Sequence, residues 1–184
     1  MKILKGGILG GAIVFVWSAI SWMALPWHEI GFERFTDEEL VAKTLKETSP
    51  IEGIYLIPFV DHFSDTDLMK KAAEEKMRTG PTGFMMIHPH GVRMNMAKPM
   101  VISFLFQVMA ALLVTYLLLK AKLETMLGRI TFVVSIATVA GILGHAPNWI
   151  WWGYPTFYTV VQIADLIIAW LLAGIALSRF LRYD

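Results

Sequence analysis

The chain has 184 residues, of which 56% are hydrophobic and 17% are charged, and its mean hydropathy is +0.57. Soluble domains average about 45–50% apolar and about 25% charged residues, so this composition excludes a disordered chain and argues against a soluble enzyme. A formal net charge of +1 excludes the basic field by which proteins attract nucleic acid. The lack of cysteine excludes disulfides, thiolate catalysis and iron–sulfur clusters.

Acidic residues are concentrated in one segment, because 12 of the 15 lie between Glu29 and Glu75. The rest of the chain contains four apolar stretches of about 20 residues, the length that crosses a bilayer core of roughly 30 Å. Lipid offers the backbone no hydrogen-bond partners, so each stretch is predicted to be helical. The stretches cover residues 3–27, 99–119, 128–146 and 156–178.

The predicted fold is therefore a membrane all-α protein, a bundle of four transmembrane helices with a small extracytoplasmic α/β insert between helices one and two. We divide the chain into the first helix (1–27), the insert (28–98) and helices two to four with short loops (99–184). Lys2 and Lys5 precede the first apolar run, as in a signal peptide, but the length of that run favours a retained helix.

The distribution of basic residues predicts the orientation, since lysine and arginine in short loops favour the cytoplasmic side. Seven cations fall on one side of a four-helix arrangement, whereas the insert has nine basic and twelve acidic residues, a net charge of −3. We expect a multi-pass bacterial inner-membrane protein with both termini in the cytoplasm and the insert in the periplasm. The seven cations are Lys2, Lys5, Lys120, Lys122, Arg129, Arg179 and Arg182.

The insert has the pattern of a small folded unit. Thr36 with Glu39 and Ser64 with Asp67 form two capping-box patterns, each of which predicts the start of a helix. The compact strand–helix–strand order favours a parallel strand pair with a right-handed crossover, with an antiparallel pair as the alternative. The predicted elements are helices over residues 37–48 and 65–78 and strands over residues 51–58 and 83–88.

Each of the four apolar stretches places a polar side chain about 12–13 Å from its outer end, at 1.5 Å per helical residue. A carboxylate at that depth is costly and marks a functional hypothesis. The polar layer either fixes helix packing, binds a proton, cation or small ligand, or faces a partner helix. Its members are Asp165, with Gln162 on the same helical face, and Gln107, Ser18 and Thr138.

Aromatic residues and histidines gather at the predicted outer interface. Tryptophan anchors helices at the headgroup level, and an aromatic pocket for a lipid, a quinone or a haem edge is the alternative. His28 and His145 could meet there as a metal pair or as an acid and a base. The outer-interface candidates are His28, His145, Trp22, Trp27, Trp149 and Trp152.

The first apolar stretch contains Gly6, Gly7, Gly10 and Gly11. Small residues at this spacing let helix backbones approach closely. We expect them to mediate packing within the bundle or between protomers.

No metal, cofactor or catalytic residue is predicted. Residues 85–100 are rich in methionine and histidine, which suit Cu(I), but methionine also fills irregular cores. The sequence lacks the nucleophile-elbow, zinc-protease and P-loop motifs.

Residues 21–28 (SWMALPWH) and 144–153 (GHAPNWIWWG) resemble segments of small bacterial four-helix inner-membrane proteins to which no activity is assigned. The resemblance covers helices one, three and four. It implies four helices and a periplasmic insert, and it implies no catalytic residue.

Three functions follow as expectations from these patterns. The first is a non-catalytic membrane subunit or scaffold that self-associates or joins a larger complex in the lipid bilayer, motivated by the glycine-rich helix. The second is a small transporter or channel-like protein that uses the polar layer around Asp165. The third is a membrane enzyme or a lipid- or quinone-binding protein that uses His28 and His145 at the outer interface.

Overall fold

The computed structural model describes residues 1–61, 63–92 and 95–181. Arg182 and residues 93–94, which entered the sequence predictions, lie outside them. The described residues fall into two compact units, a helical unit (Met1–Glu33 with Asn95–Asp184) and an insert unit (Arg34–Met94). The elements are α1 (Lys2–Ala24), a 3₁₀ helix (Pro26–Gly31), α2 (Glu38–Thr48), β1 (Gly53–Ile57), α3 (Asp67–Thr79), β2 (Gly83–Ile87), α4 (Ala97–Lys120), α5 (Met126–Trp152) and α6 (Thr156–Phe180).

The helices α1, α4, α5 and α6 are long and apolar enough to cross a membrane. Each overlaps one of the four predicted apolar stretches, and the mostly helical structure is consistent with an all-α, multi-pass membrane protein. Residues 28–33, which the sequence analysis assigned to the insert, belong to the helical unit.

The predicted end of the third span at residue 146 is wrong, because α5 continues through Pro147 to Trp152. Proline removes one backbone donor, and membrane helices tolerate that loss when neighbouring groups compensate. The helix ends at Gly153, whose φ of 67° is a left-handed conformation that glycine adopts readily. Residues 147–155 separate the third and fourth predicted stretches and were expected to form a loop. Only the last three of them lie between α5 and α6, and the tryptophans of this segment lie in the last turns of α5.

The glycine face of α1 packs against α4 within the same chain. A Cβ added to Gly11 would lie 2.6 Å from Cα of Val108, and one added to Gly7 would lie 2.4 Å from a methyl carbon of Leu112. Gly6 approaches Thr115 and Gly10 approaches Ala111 and Leu177 in the same way. These four positions therefore serve packing inside the bundle.

The core of the helical unit forms where α1 packs on α4 and α6, and α6 packs on α5. Small residues again permit the close approach, since a Cβ added to Gly174 of α6 would lie 3.3 Å from Val133 of α5. The buried apolar residues of this core are Val14, Ala111, Val114, Leu118, Val133, Ala137, Ala169, Trp170, Ala173, Leu177 and Leu181.

The two strands of the insert unit are antiparallel, so the preference for a parallel pair is wrong. Gly53 pairs with Ile87 and Ile57 pairs with Gly83. The chain that leaves β1 at Ile57 therefore returns through α3 to the same end of the strand, as in a long hairpin. The right-handed crossover rule applies only to parallel strands, so it does not constrain this connection.

Both insert helices begin later than the capping-box patterns predict. The cap of α2 is Asp37, which accepts a hydrogen bond from the Leu40 amide at 2.9 Å, and Thr36 precedes it. The cap of α3 is Thr66, which accepts from the Met69 amide at 3.3 Å. Ser64 instead donates to the Asp61 carboxylate at 2.6 Å, because a short polar side chain in a turn can bond locally.

Candidate functional site

Asp165 lies in the interior of α6 and is 8% exposed. The indole N–H of Trp17, on α1, donates to its Oδ1 at 2.6 Å. Its other oxygen, Oδ2, lies 3.5 Å from Nε2 of His28. Two different segments, α1 and the chain that follows it, therefore contact this carboxylate.

The 3₁₀ helix after α1 brings His28 to this carboxylate. Pro26 opens the turn, since its fixed φ suits the first residue of a helix. The turn then packs on α6, where a Cβ on Gly31 would lie 2.9 Å from the ring of Tyr158. As a result His28, which the sequence places at the outer interface, is 1% exposed.

The imidazole of His28 is enclosed by side chains of α1 and its own turn. The ring of Trp22 stacks on it with centroids 3.9 Å apart and planes 6° from parallel, and the ring of Trp27 meets it edge-on at 5.6 Å. Nε2 lies 2.9 Å from Oγ of Ser21, which also accepts the indole N–H of Trp27 at 3.0 Å.

The second ring nitrogen of His28, Nδ1, lies 3.5 Å from the amide nitrogen of Gln162 on α6. An amide N–H can only donate, so this contact favours Nδ1 as an acceptor and Nε2 as the protonated nitrogen. In that tautomer the Nε2–H group has two acceptors nearby, Oγ of Ser21 at 2.9 Å and Oδ2 of Asp165 at 3.5 Å.

A cleft of about 500 Å³ lies between α4 and α6, beside α1, and Asp165 lines it. Its walls are mostly apolar, with Trp170 and Phe106 among them. We call it the α4/α6 cleft. The polar residues that line it are Ser18, Ser103, Gln107, His145, Gln162 and Asp165.

Most of the predicted polar layer converges on this cleft. Ser18, Gln107, Gln162 and Asp165 line it from α1, α4 and α6. Thr138 is placed differently, because its hydroxyl donates to the Val134 carbonyl of its own helix at 2.8 Å, and the cleft lining does not include it.

The outer-interface candidates separate into three positions. His28 lies with Trp22 and Trp27 against Asp165, as described above. His145 lies on α5 and lines the α4/α6 cleft. Trp149 and Trp152 are about half exposed in the last turn of α5, and the indole N–H of Trp149 donates to Thr156 Oγ1 at 3.0 Å.

Among residues 1–61, 63–92 and 95–181, no group of three or more histidine, aspartate or glutamate side chains could hold a metal ion.

Sequence reasoning missed Trp17 and Ser21, which contact Asp165 and His28. The position of Trp17 in the sequence could have indicated its role. It lies ten residues before Trp27 and therefore about 15 Å deeper along the predicted first helix. A tryptophan so far from the interface needs a buried acceptor for its N–H, and the carboxylate of Asp165 is that acceptor. No comparable signal marks Ser21, because its role depends on the turn that returns His28 to α1.

Comparison with protein-family models, with curated proteins and with solved structures finds no match to this chain.

Proposed function

We propose that this protein binds a small amphiphilic molecule inside the membrane, in the α4/α6 cleft, as a binding or transport protein. The observation that carries the proposal is the convergence of polar side chains from all four long helices on one apolar cavity. Ser18, Gln107, His145 and Asp165 come from α1, α4, α5 and α6 in that order.

The size and lining of the cleft support a small ligand. Its volume of about 500 Å³ falls within the roughly 300–1,000 Å³ of typical ligand pockets, which combine apolar walls with a few orienting polar groups. Polar side chains inside membranes are expensive. Polar side chains that served only to fix helix packing would contact one another, whereas several of these side chains border the open space of the cleft.

A scaffold function was motivated in part by the glycine-rich helix, whose small residues were expected to pack within the bundle or between protomers. Gly7 and Gly11 pack on Leu112 and Val108 of α4, which favours the first of these two roles. Self-association stays a prediction, and a second copy would have to use another surface.

We also propose that the protein lies in the bacterial inner membrane with both termini in the cytoplasm and the insert in the periplasm. The support is the charge distribution of the sequence, with seven cations on one side and an acidic insert on the other.

A cavity-filling variant tests the binding function. Ala110 lines the α4/α6 cleft, so Ala110→Phe should fill it, whereas Ala140 is an exposed residue of α5 outside the lining and gives the control Ala140→Phe. The neutral probe phenylbutanol is titrated against each protein in lipid nanodiscs, and the thermal midpoint is measured. A ligand that binds the folded state raises this midpoint with the logarithm of its concentration once the concentration exceeds Kd.

We expect a logarithmic rise of the midpoint for the wild type and for Ala140→Phe, and none for Ala110→Phe. A response that is identical in all three proteins would indicate partition into lipid and would contradict the proposal.

A further inference from the structure

The ionisable groups that line the α4/α6 cleft among the described residues include an acid but no lysine or arginine. The one carboxylate in this described lining is that of Asp165. We infer that the amphiphile it takes is an organic cation with N–H donors, such as a primary alkylamine, whose ammonium group binds at Asp165. This inference rests on the proposed function and names the ligand class of the same site.

One neighbour donates a hydrogen bond to the carboxylate without carrying a formal charge, since the indole N–H of Trp17 donates to Oδ1 at 2.6 Å. Nε2 of His28 lies 3.5 Å from Oδ2 and 2.9 Å from Oγ of Ser21. A neutral donor stabilises a carboxylate without cancelling its charge, so the negative potential toward the cleft is retained. At low dielectric, a charge that faces a cavity attracts an opposite charge strongly.

An unpaired acceptor points to the same ligand chemistry. Oε1 of Gln107 is buried and has no hydrogen-bond partner among the described residues, and Gln107 lines the cleft from α4, opposite α6. The amide nitrogen of the same side chain lies 3.3 Å from Oγ of Ser103. A buried acceptor left unpaired costs free energy, and an ammonium N–H would satisfy it.

The other groups around the carboxylate do not favour an anion. The 3₁₀ helix provides His28, α1 provides Trp17 and Ser18, α4 provides Gln107 and Ser103, and α5 provides His145. Apart from the two imidazoles, none of these side chains can carry a positive charge. Trp170 adds an aromatic wall for the apolar part of the ligand, and aromatic faces attract cations as well.

Three probes that share one apolar group separate the ligand classes. Phenylbutylamine, phenylbutanol and phenylbutyrate are each titrated at neutral pH against the protein in neutral-lipid nanodiscs, and binding is measured from the thermal midpoint and from tryptophan fluorescence. We expect the amine to bind about tenfold more tightly than the alcohol, which corresponds to about 1.4 kcal/mol, and the carboxylate to bind most weakly.

Two variants tie the preference to Asp165. Asp165→Asn retains an acceptor for Trp17 and removes the charge, so it should bind the amine and the alcohol equally. The control Glu124→Gln removes an exposed carboxylate from the loop after α4 and should retain the preference. If Asp165→Asn does not fold, Gln107→Leu removes the unpaired acceptor, and it should lower affinity for the amine more than for the alcohol.

The outcomes distinguish this inference from the function on which it rests. If none of the three probes binds saturably, the proposed function fails. If the alcohol or the carboxylate binds as tightly as the amine, the cleft still binds amphiphiles and the cation inference is overturned. A preference for the amine that persists in Asp165→Asn would overturn it as well.

Discussion

Trp17 and Asp165 are joined by an indole-to-carboxylate hydrogen bond of 2.6 Å, although they lie 148 residues apart in the sequence. The bond ties α1 to α6 in a partly buried position. It also fixes the direction of the carboxylate, whose second oxygen faces His28. One interaction therefore contributes both to the packing of the bundle and to the orientation of the candidate ligand group.

We predict that Trp17→Phe destabilises the protein by about 1–2 kcal/mol. Polar contacts between membrane helices average about 0.6 kcal/mol, but this change leaves a buried carboxylate oxygen without its donor, which costs about 1–3 kcal/mol. The measurement is unfolding in mixed detergent micelles, followed by circular dichroism. Trp149→Phe removes an indole donor that bonds to Thr156 in an exposed position and should have little effect. Equal effects of the two variants would contradict the prediction.

We predict that Gly11→Ala destabilises the bundle and that Gly144→Ala does not. The new Cβ at position 11 would lie 2.6 Å from the backbone of Val108, whereas at position 144 it would meet nothing within 4 Å. Overpacking at position 11 destabilises the protein by about 1–3 kcal/mol. Where there is space for the methyl group, replacing glycine with alanine in a helix stabilises it by up to about 1 kcal/mol. The difference between the two unfolding free energies is the measured quantity, and a difference near zero would show that α1 and α4 do not pack closely.

Hydropathy and helical period were sufficient to predict the four long helices and most of the polar residues that line the cleft. The polar side chains are conspicuous because they interrupt apolar helices. Ser18, Gln107 and Asp165 lie at similar distances from the outer ends of their predicted helices, which correctly placed them near one another at the cleft. Thr138 shows the limit of that reasoning, since depth does not specify rotation. Its hydroxyl bonds to its own helix, as threonine can at any depth.

Contacts that depend on chain reversal could not be predicted. His28 looked like an interface residue because α1 was expected to run to residue 27, whereas the helix ends at Ala24 and a 3₁₀ turn follows. That turn places the imidazole against α6. In the insert, strand direction depended on how α3 returns the chain to β1, and local sequence does not encode it.

We predict that Gly153→Ala destabilises the junction of α5 and α6 through the backbone alone. Gly153 has a φ of 67°, and a Cβ added there would meet nothing within 4 Å. The expected loss of folding free energy is therefore only that of placing a residue with a side chain in the left-handed conformation, roughly 1–2 kcal/mol. Hydrogen exchange of the amides in the last turn of α5 should become faster. Gly144→Ala is again the control, since Gly144 lies inside α5 and has an ordinary helical backbone conformation.

We predict that residue 63 is accessible from outside the cell and that residue 124 is not. The chain has no cysteine, so Phe63→Cys and Glu124→Cys each introduce a single thiol. Phe63 is fully exposed in the insert unit, and Glu124 is exposed in the loop between α4 and α5. A membrane-impermeant maleimide applied to intact bacterial cells should label only the first, and both should react after the cells are permeabilised. Labelling of Glu124→Cys in intact cells, with Phe63→Cys protected, would mean that the protein has the opposite orientation and that the positive charges do not determine it.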